Sequence, residues 1–220
     1  MIQIKICGIT NEEDALCAAK LGAAALGFIF CLPSLRYIKP EIARKIISVL
    51  PNEVVKVGVF VNESAAEVKR IVEYCRLDFV QLHGDESPEY CSQFPPARVI
   101  KAVELKNEDN LSYALGYDVA AILVDSRHAG LYGGTGKKAD WDLARRIKNK
   151  RPLILSGGLS GENIKDAVEK VTPQALDINS GVEISPGKKD HAKLARLFDI
   201  VRKVNSKMDD TALIFTKRGI

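Results

Sequence analysis

Eight times along this 220-residue chain a short β-rich run is followed by a helical pattern, and that alternation limits the fold more than any other feature. The strand-like runs are 2 to 7, 25 to 30, 55 to 61, 79 to 83, 98 to 103, 120 to 125, 152 to 156 and 175 to 179. Helix-start signals stand between them. Thr10 or Asn11 precedes an acidic first turn that Gly22 ends, Pro40 opens a second helix, and Asn62 or Ser64 caps a third. The remaining helices are expected at 87 to 94, 107 to 115, 141 to 149, 161 to 170 and 189 to 204. Eight strand-helix units in about 200 residues is the count of a single α/β (β/α)8 TIM barrel. A doubly wound open sheet usually has fewer strands, and no GxGxxG follows the first strand here. The barrel is expected to occupy residues 1 to 204, with 205 to 220 left as a C-terminal tail of unknown role.

A barrel wrapped by helices needs apolar residues on the outer face of each strand. In the first strand Ile2, Ile4 and Ile6 satisfy this, which turns Lys5 and Cys7 inward. The fourth run repeats the pattern with Val80 and Leu82 outward and Gln81 and His83 inward, and the eighth turns Asp177 and Asn179 inward. Polar groups therefore gather at the C-terminal strand ends, where barrel enzymes carry their chemistry. An enzyme is favoured over a passive module.

Composition narrows the substrate. The net charge of +4 comes from 32 basic and 28 acidic residues spread along the chain, without a basic block, so a small anionic substrate is favoured and neither nucleic acid nor membrane is expected as a partner. The longest nearly apolar stretch, "LGAAALGFIFCLP", is too short to span a bilayer, and no secretory leader is apparent, so a cytoplasmic location is expected. Five cysteines, at 7, 17, 31, 75 and 91, form no CxxC and no close Cys/His pair, which argues for free thiols and no metal site.

Two glycine-rich features remain. "YGGTGKKADW" is not a P-loop, because that motif requires Gly at 131 and Ser or Thr at 138, and the chain has Leu131 and Lys138. It reads as a turn or as a lid whose Gly134 and Gly136 let backbone close over a ligand. "SGG" after the seventh strand and "NSG" after the eighth supply Gly157, Gly158, Ser180 and Gly181. Those two loops commonly form a phosphate site in barrels, so the substrate is expected to be a small phosphorylated molecule.

"KICGIT", "SLRYI", "VQLHGDE", "LVDS", "YGGTGKKADW", "LSGGL" and "DINSGVEISPGKKD", in that order, resemble the phosphoribosylanthranilate isomerase family of tryptophan biosynthesis through about residue 204. The resemblance implies an Amadori rearrangement of N-(5-phosphoribosyl)anthranilate to 1-(2-carboxyphenylamino)-1-deoxy-D-ribulose 5-phosphate, with no metal or organic cofactor. It assigns Cys7 as general base, Asp125 as general acid, and Arg36 and His83 to substrate binding. A thiol near its ordinary value of ~8.5 is mostly protonated at neutral pH, so Lys5 is expected to lower Cys7, and desolvation to raise Asp125. The family usually has an aromatic residue where Ala139 stands. Related phosphosugar barrels, such as the histidine-pathway isomerase or indole-glycerol-phosphate synthase, would share the phosphate loops, but the former is expected to have a carboxylate in place of Cys7. A non-catalytic phosphosugar regulator could lose Cys7 or Asp125, and both are present. The protein is expected as a monomer or homodimer. Residues 205 to 220 match nothing in the family; their removal is expected to leave the barrel folded and active, unless "ALIF" caps it.

Overall fold

The structure, a computed structural model, describes residues 1–125, 141–206 and 212–216. The elements run β1 (Gln3–Ile6), α1 (Glu12–Leu21), β2 (Ala25–Ile29), α2 (Pro40–Ser48), β3 (Val55–Phe60), α3 (Ala65–Cys75), β4 (Phe79–Leu82), α4 (Pro88–Cys91), β5 (Val99–Val103), α5 (Glu108–Leu115), β6 (Ala121–Val124), α6 (Trp141–Lys148), β7 (Leu153–Leu155), α7 (Ile164–Val171) and β8 (Ala175–Ile178). A short hairpin, β9 (Glu183–Ser185) with β10 (Lys188–Lys189), precedes α8 (His191–Asn205). Strands β1 to β8 pair in sequence order, all parallel, and β8 closes on β1.

Several helices start where local capping chemistry places them. Asn11 caps α1 by accepting the Asp14 N–H, and Gly22 ends it in the left-handed conformation. Pro40 is the first residue of α2, and Ser64 caps α3. The helix expected over 87 to 94 is one turn only, because Pro95 and Pro96 follow closely. The α7 helix begins three residues later than expected. Asn163 is occupied there, accepting the Ser160 N–H and donating to the Gly158 carbonyl, and this folds 158–163 into a turn.

The inward and outward alternation holds. Ile2, Ile4, Ile6, Val80 and Leu82 pack with the helices in the outer core. Val55, Val57, Phe79, Ile100, Leu123 and Ile154 fill the barrel itself. The hairpin after β8 was not anticipated; it is tied to α1 by Asp14, which accepts from the Lys189 N–H at 2.8 Å and contacts His191 Nε2 at 2.8 Å.

Part of the tail completes the barrel. Ile214 and Phe215 belong to the interior cluster, and Phe215 meets Phe79, the first residue of β4, edge to face at 6.2 Å. Gln3, the first residue of β1, accepts from both the Ile214 and Phe215 N–H groups at 2.8 Å and donates to the Phe215 carbonyl at 2.9 Å. The N-terminal end of the barrel thus has an apolar floor contributed by residues far along the chain.

Candidate active site

At the opposite end, the residues just past the strands face the mouth. Cys7 follows β1, its N–H donating to the Ile178 carbonyl at 2.8 Å, and Gly8 then turns the chain at φ +72°. A side chain at Gly8 would also strike Arg36 Cδ and Asn179 Oδ1, each 2.8 Å away. Gly27 on β2 makes room next door: a Cβ there would lie 2.7 Å from Cys7 Sγ and 3.0 Å from Lys5 Nζ. Lys5 is fully enclosed, and register pairs it with Asp177 on β8, giving an ion pair of 2.7 Å. Burial pushes the Cys7 thiol above its ordinary value, and the opposing pull of the Lys5 ammonium does not cancel it. The expected lowering by Lys5 is thus present as a force but smaller than desolvation. Lys5 itself is raised: burial opposes its charge, and Asp177 and Cys7 outweigh burial.

Asp125 follows β6, buried, its N–H donating to the Val103 carbonyl at 3.1 Å. His83 follows β4 and lies between Gln81 and Asp125, with Nδ1 at 2.7 Å from Gln81 Nε2 and Nε2 at 3.2 Å from Asp125 Oδ2. An amide nitrogen only donates, so His83 Nδ1 accepts and its Nε2–H points to the carboxylate. Both ring nitrogens are therefore engaged with protein, one with Gln81 and the other with Asp125.

Arg36 lies over Gly8, gripping Glu183 through Nε at 2.9 Å and Nη2 at 2.6 Å. Among the described residues nothing accepts from its Nη1. Glu183 also binds Lys189 Nζ at 2.9 Å. Burial pushes the Glu183 carboxyl up, yet hydrogen bonds from Arg36 and the Lys189 charge outweigh it and hold the group below its usual value. Burial lowers Lys189, with partial compensation from Glu183. Glu183 and Lys189 were missed from the sequence. They lie in the hairpin, whose five residues alternate too briefly to read as strands.

The β7 and β8 loops meet here. Gly157 and Gly158 adopt φ +88° and +62°, and among the described residues no hydrogen bond uses their N–H groups. Ser180 and Gly181 open a 3-10 turn, and a Cβ at 181 would sit 2.0 Å from the Leu159 carbonyl oxygen, so only glycine lets the loops touch. Interior polar pairing absorbs the other buried charges: Lys101 joins Glu86 at 2.6 Å, and Glu86 also accepts from the Asn62 and Gly84 N–H groups. Gly134, Gly136 and Ala139 lie outside the described residues. Within the described residues no cluster of three His, Cys, Asp or Glu side chains could hold a metal ion, and no helix is long and apolar enough to cross a membrane.

A family model described as "N-(5'phosphoribosyl)anthranilate (PRA) isomerase" matches residues 4–200. The chain belongs to the phosphoribosylanthranilate isomerase family. As a member it is an enzyme that isomerises N-(5'-phosphoribosyl)anthranilate in tryptophan biosynthesis. It is 52% identical over 203 residues to the N-(5'-phosphoribosyl)anthranilate isomerase of Syntrophus aciditrophicus, covering 92% of this chain and 88% of that one. Its fold is similar to the Thermotoga maritima isomerase, with a TM-score of 0.85 and 43% identity over 92% of this chain and 100% of that one. A further isomerase structure, solved with reduced 1-(o-carboxyphenylamino)-1-deoxyribulose 5-phosphate, gives a TM-score of 0.83 at 42% identity, covering 92% of this chain and all of the other. The family match ends at residue 200, so Ile214 and Phe215, which plug the floor, lie beyond it.

Proposed function

We propose that Cys7 is the general base and Asp125 the general acid of the isomerisation. Ring opening requires a proton on the furanose oxygen, and enolamine formation requires loss of the proton from C2, which returns as the product tautomerises to the ketone. Cys7 and Asp125 end β1 and β6, on opposite sides of the mouth, so a sugar lying between them can be deprotonated from one side and protonated from the other. The buried thiol beside Lys5 is the observation that carries this reading. His83 orients Asp125 and, through the Nε2–H, holds its carboxylate turned to the mouth once the proton has been given.

Substrate binding follows from donors that have no partner among the described residues. The N–H groups of Gly157 and Gly158, with Ser180 and Gly181 beside them, suit the 5-phosphate. Arg36, braced by Glu183, offers Nη1 to the anthranilate carboxylate. The ligand in the related complex carries both a phosphate and a carboxyphenyl group, which fits this division. Inorganic phosphate is therefore expected to inhibit competitively, and substrate lacking the 5-phosphate to lose affinity by several kcal/mol, as charge-assisted hydrogen bonds of ~1.5–3 kcal/mol each would require. The check is loss of substrate fluorescence with and without phosphate; equal turnover of the dephosphorylated compound would refute the phosphate assignment.

A further inference from the structure

Cys7 does not stand alone in the mouth. Lys5 shares its strand face, is enclosed completely, and has its Nζ within 3.0 Å of the same point in space that lies 2.7 Å from the sulfur. Asp177 fixes that ammonium from the neighbouring strand at 2.7 Å. The other charged groups facing Cys7 come from every side of this corner. Lys189 comes from β10 and Glu183 from β9, while Arg36 lies over Gly8 from the loop after β2. His83 and Asp125 stand across the mouth, just past β4 and β6. The five nearer groups are three cations (Lys5, Lys189, Arg36) and two carboxylates (Asp177, Glu183). The cluster around Cys7 therefore carries one positive charge in excess, which favours a thiolate over a neutral thiol there. Lys189 is committed to Glu183 and to both oxygens of Asn179, and Arg36 to Glu183, while Lys5, beside the sulfur at Gly27, exerts the larger of the two lysine pulls on Cys7.

We propose that Lys5 is a positioning residue for the isomerisation: held by Asp177, its buried ammonium is the counter-ion that stabilises Cys7 as a thiolate base. The inference rests on Cys7 being the base. Moving the Cys7 proton to solvent or substrate creates sulfur's negative charge at a buried position, and the fixed ammonium of Lys5, which borders the same space beside Gly27, stabilises it there. Asp177 acts through Lys5, since its carboxylate offsets the burial that opposes the ammonium's charge.

Two titrations separate the possibilities: kcat/KM against pH, which reports groups of the free enzyme, and the rate of iodoacetamide alkylation at Cys7 against pH, resolved from Cys17 and Cys31 by peptide mass. Lys5→Gln is expected to move both midpoints upward by about one pH unit or more, as loss of an adjacent opposite charge does, and to lower activity at neutral pH about tenfold or more. Lys5→Arg is expected to bring both midpoints back toward the wild-type values. If Lys5→Gln unfolds, the Lys5→Gln/Asp177→Asn pair keeps a neutral hydrogen bond in the same place and is expected to show the same upward shift. Reduced activity with both midpoints unchanged would make Lys5 a packing residue and overturn the inference. An upward shift in alkylation without one in kcat/KM, or wild-type kcat in Cys7→Ala, would instead overturn Cys7 as the base.

Discussion

The two ends of this barrel are built from opposite materials. The floor is apolar and over-determined: Ile214 and Phe215 plug it, Phe79 receives the Phe215 ring, and Gln3 fixes the plug with three hydrogen bonds. The mouth is polar and tightly shaped, with positive-φ glycines at 8, 157 and 158 and with buried ion pairs at Lys5 with Asp177 and Lys189 with Glu183. A cavity of about 1090 Å³ opens beside the floor, lined in part by Arg44, Lys56, Asp78 and Leu213, yet no thiol-carboxyl pair from opposed strands lines it. One strand links the two: on the inward face of β1, Gln3 holds the floor, Lys5 lies in the middle, and Cys7 follows at the mouth. A mutation should therefore cost stability or catalysis according to which end of the strand it touches.

The largest expected effect is at the mouth. Asp125→Asn cannot deliver a proton to the ring oxygen and is expected to lose roughly 10²-fold or more in kcat, the factor typical of a positioned acid. Its melting temperature should stay close to wild type, because the amide can still meet His83. A comparable loss of stability would blur the division between the ends.

Next comes the floor. Removing 206 to 220 takes away Phe215 and Ile214, and Phe215→Ala alone is expected to cost about 3 kcal/mol by the usual scale for buried aromatic truncation. Calorimetric or denaturant unfolding should show the loss, with kcat at a permissive temperature unchanged. Unaltered stability would mean the plug is decorative; a matching fall in kcat would mean floor and mouth are coupled through β1.

The smallest effect is on acidification. Glu183 is held below its usual range in the folded protein, so its contribution to stability is complete above the unfolded-chain value of ~4.3 and is lost as pH falls through the lower folded value. The stability-pH slope of wild type below that value should be steeper than that of Glu183→Gln; equal slopes would remove Glu183 from the acid-sensitive set.

The sequence makes the barrel legible because both its periodicities are local. Ile2, Ile4 and Ile6 fix which face of β1 meets helices, and Asn11, Pro40 and Ser64 mark helix starts within one turn. The inward position of Cys7 at the end of β1 is read from the same alternation, whereas the roles proposed for Cys7 and Asp125 rest on the resemblance to the family. What stayed hidden depends on contacts across long stretches of chain. Glu183 grips Arg36 across 147 positions and Gln3 holds Phe215 across 212, and no local pattern announces either. The state of Cys7 was hidden differently: its neighbour Lys5 can be read from the sequence, but the completeness of burial that outweighs that neighbour cannot.

The most direct test of the division is Cys7→Ala, assayed by loss of substrate fluorescence alongside its melting curve. The alanine removes one sulfur from the mouth and nothing from the floor. The account predicts a fall in kcat of about 10²-fold or more, the scale of a general base, with the melting temperature nearly unchanged. Wild-type kcat in that variant would contradict it, making the thiol a packing group and sending the search for the base to Lys5 or His83.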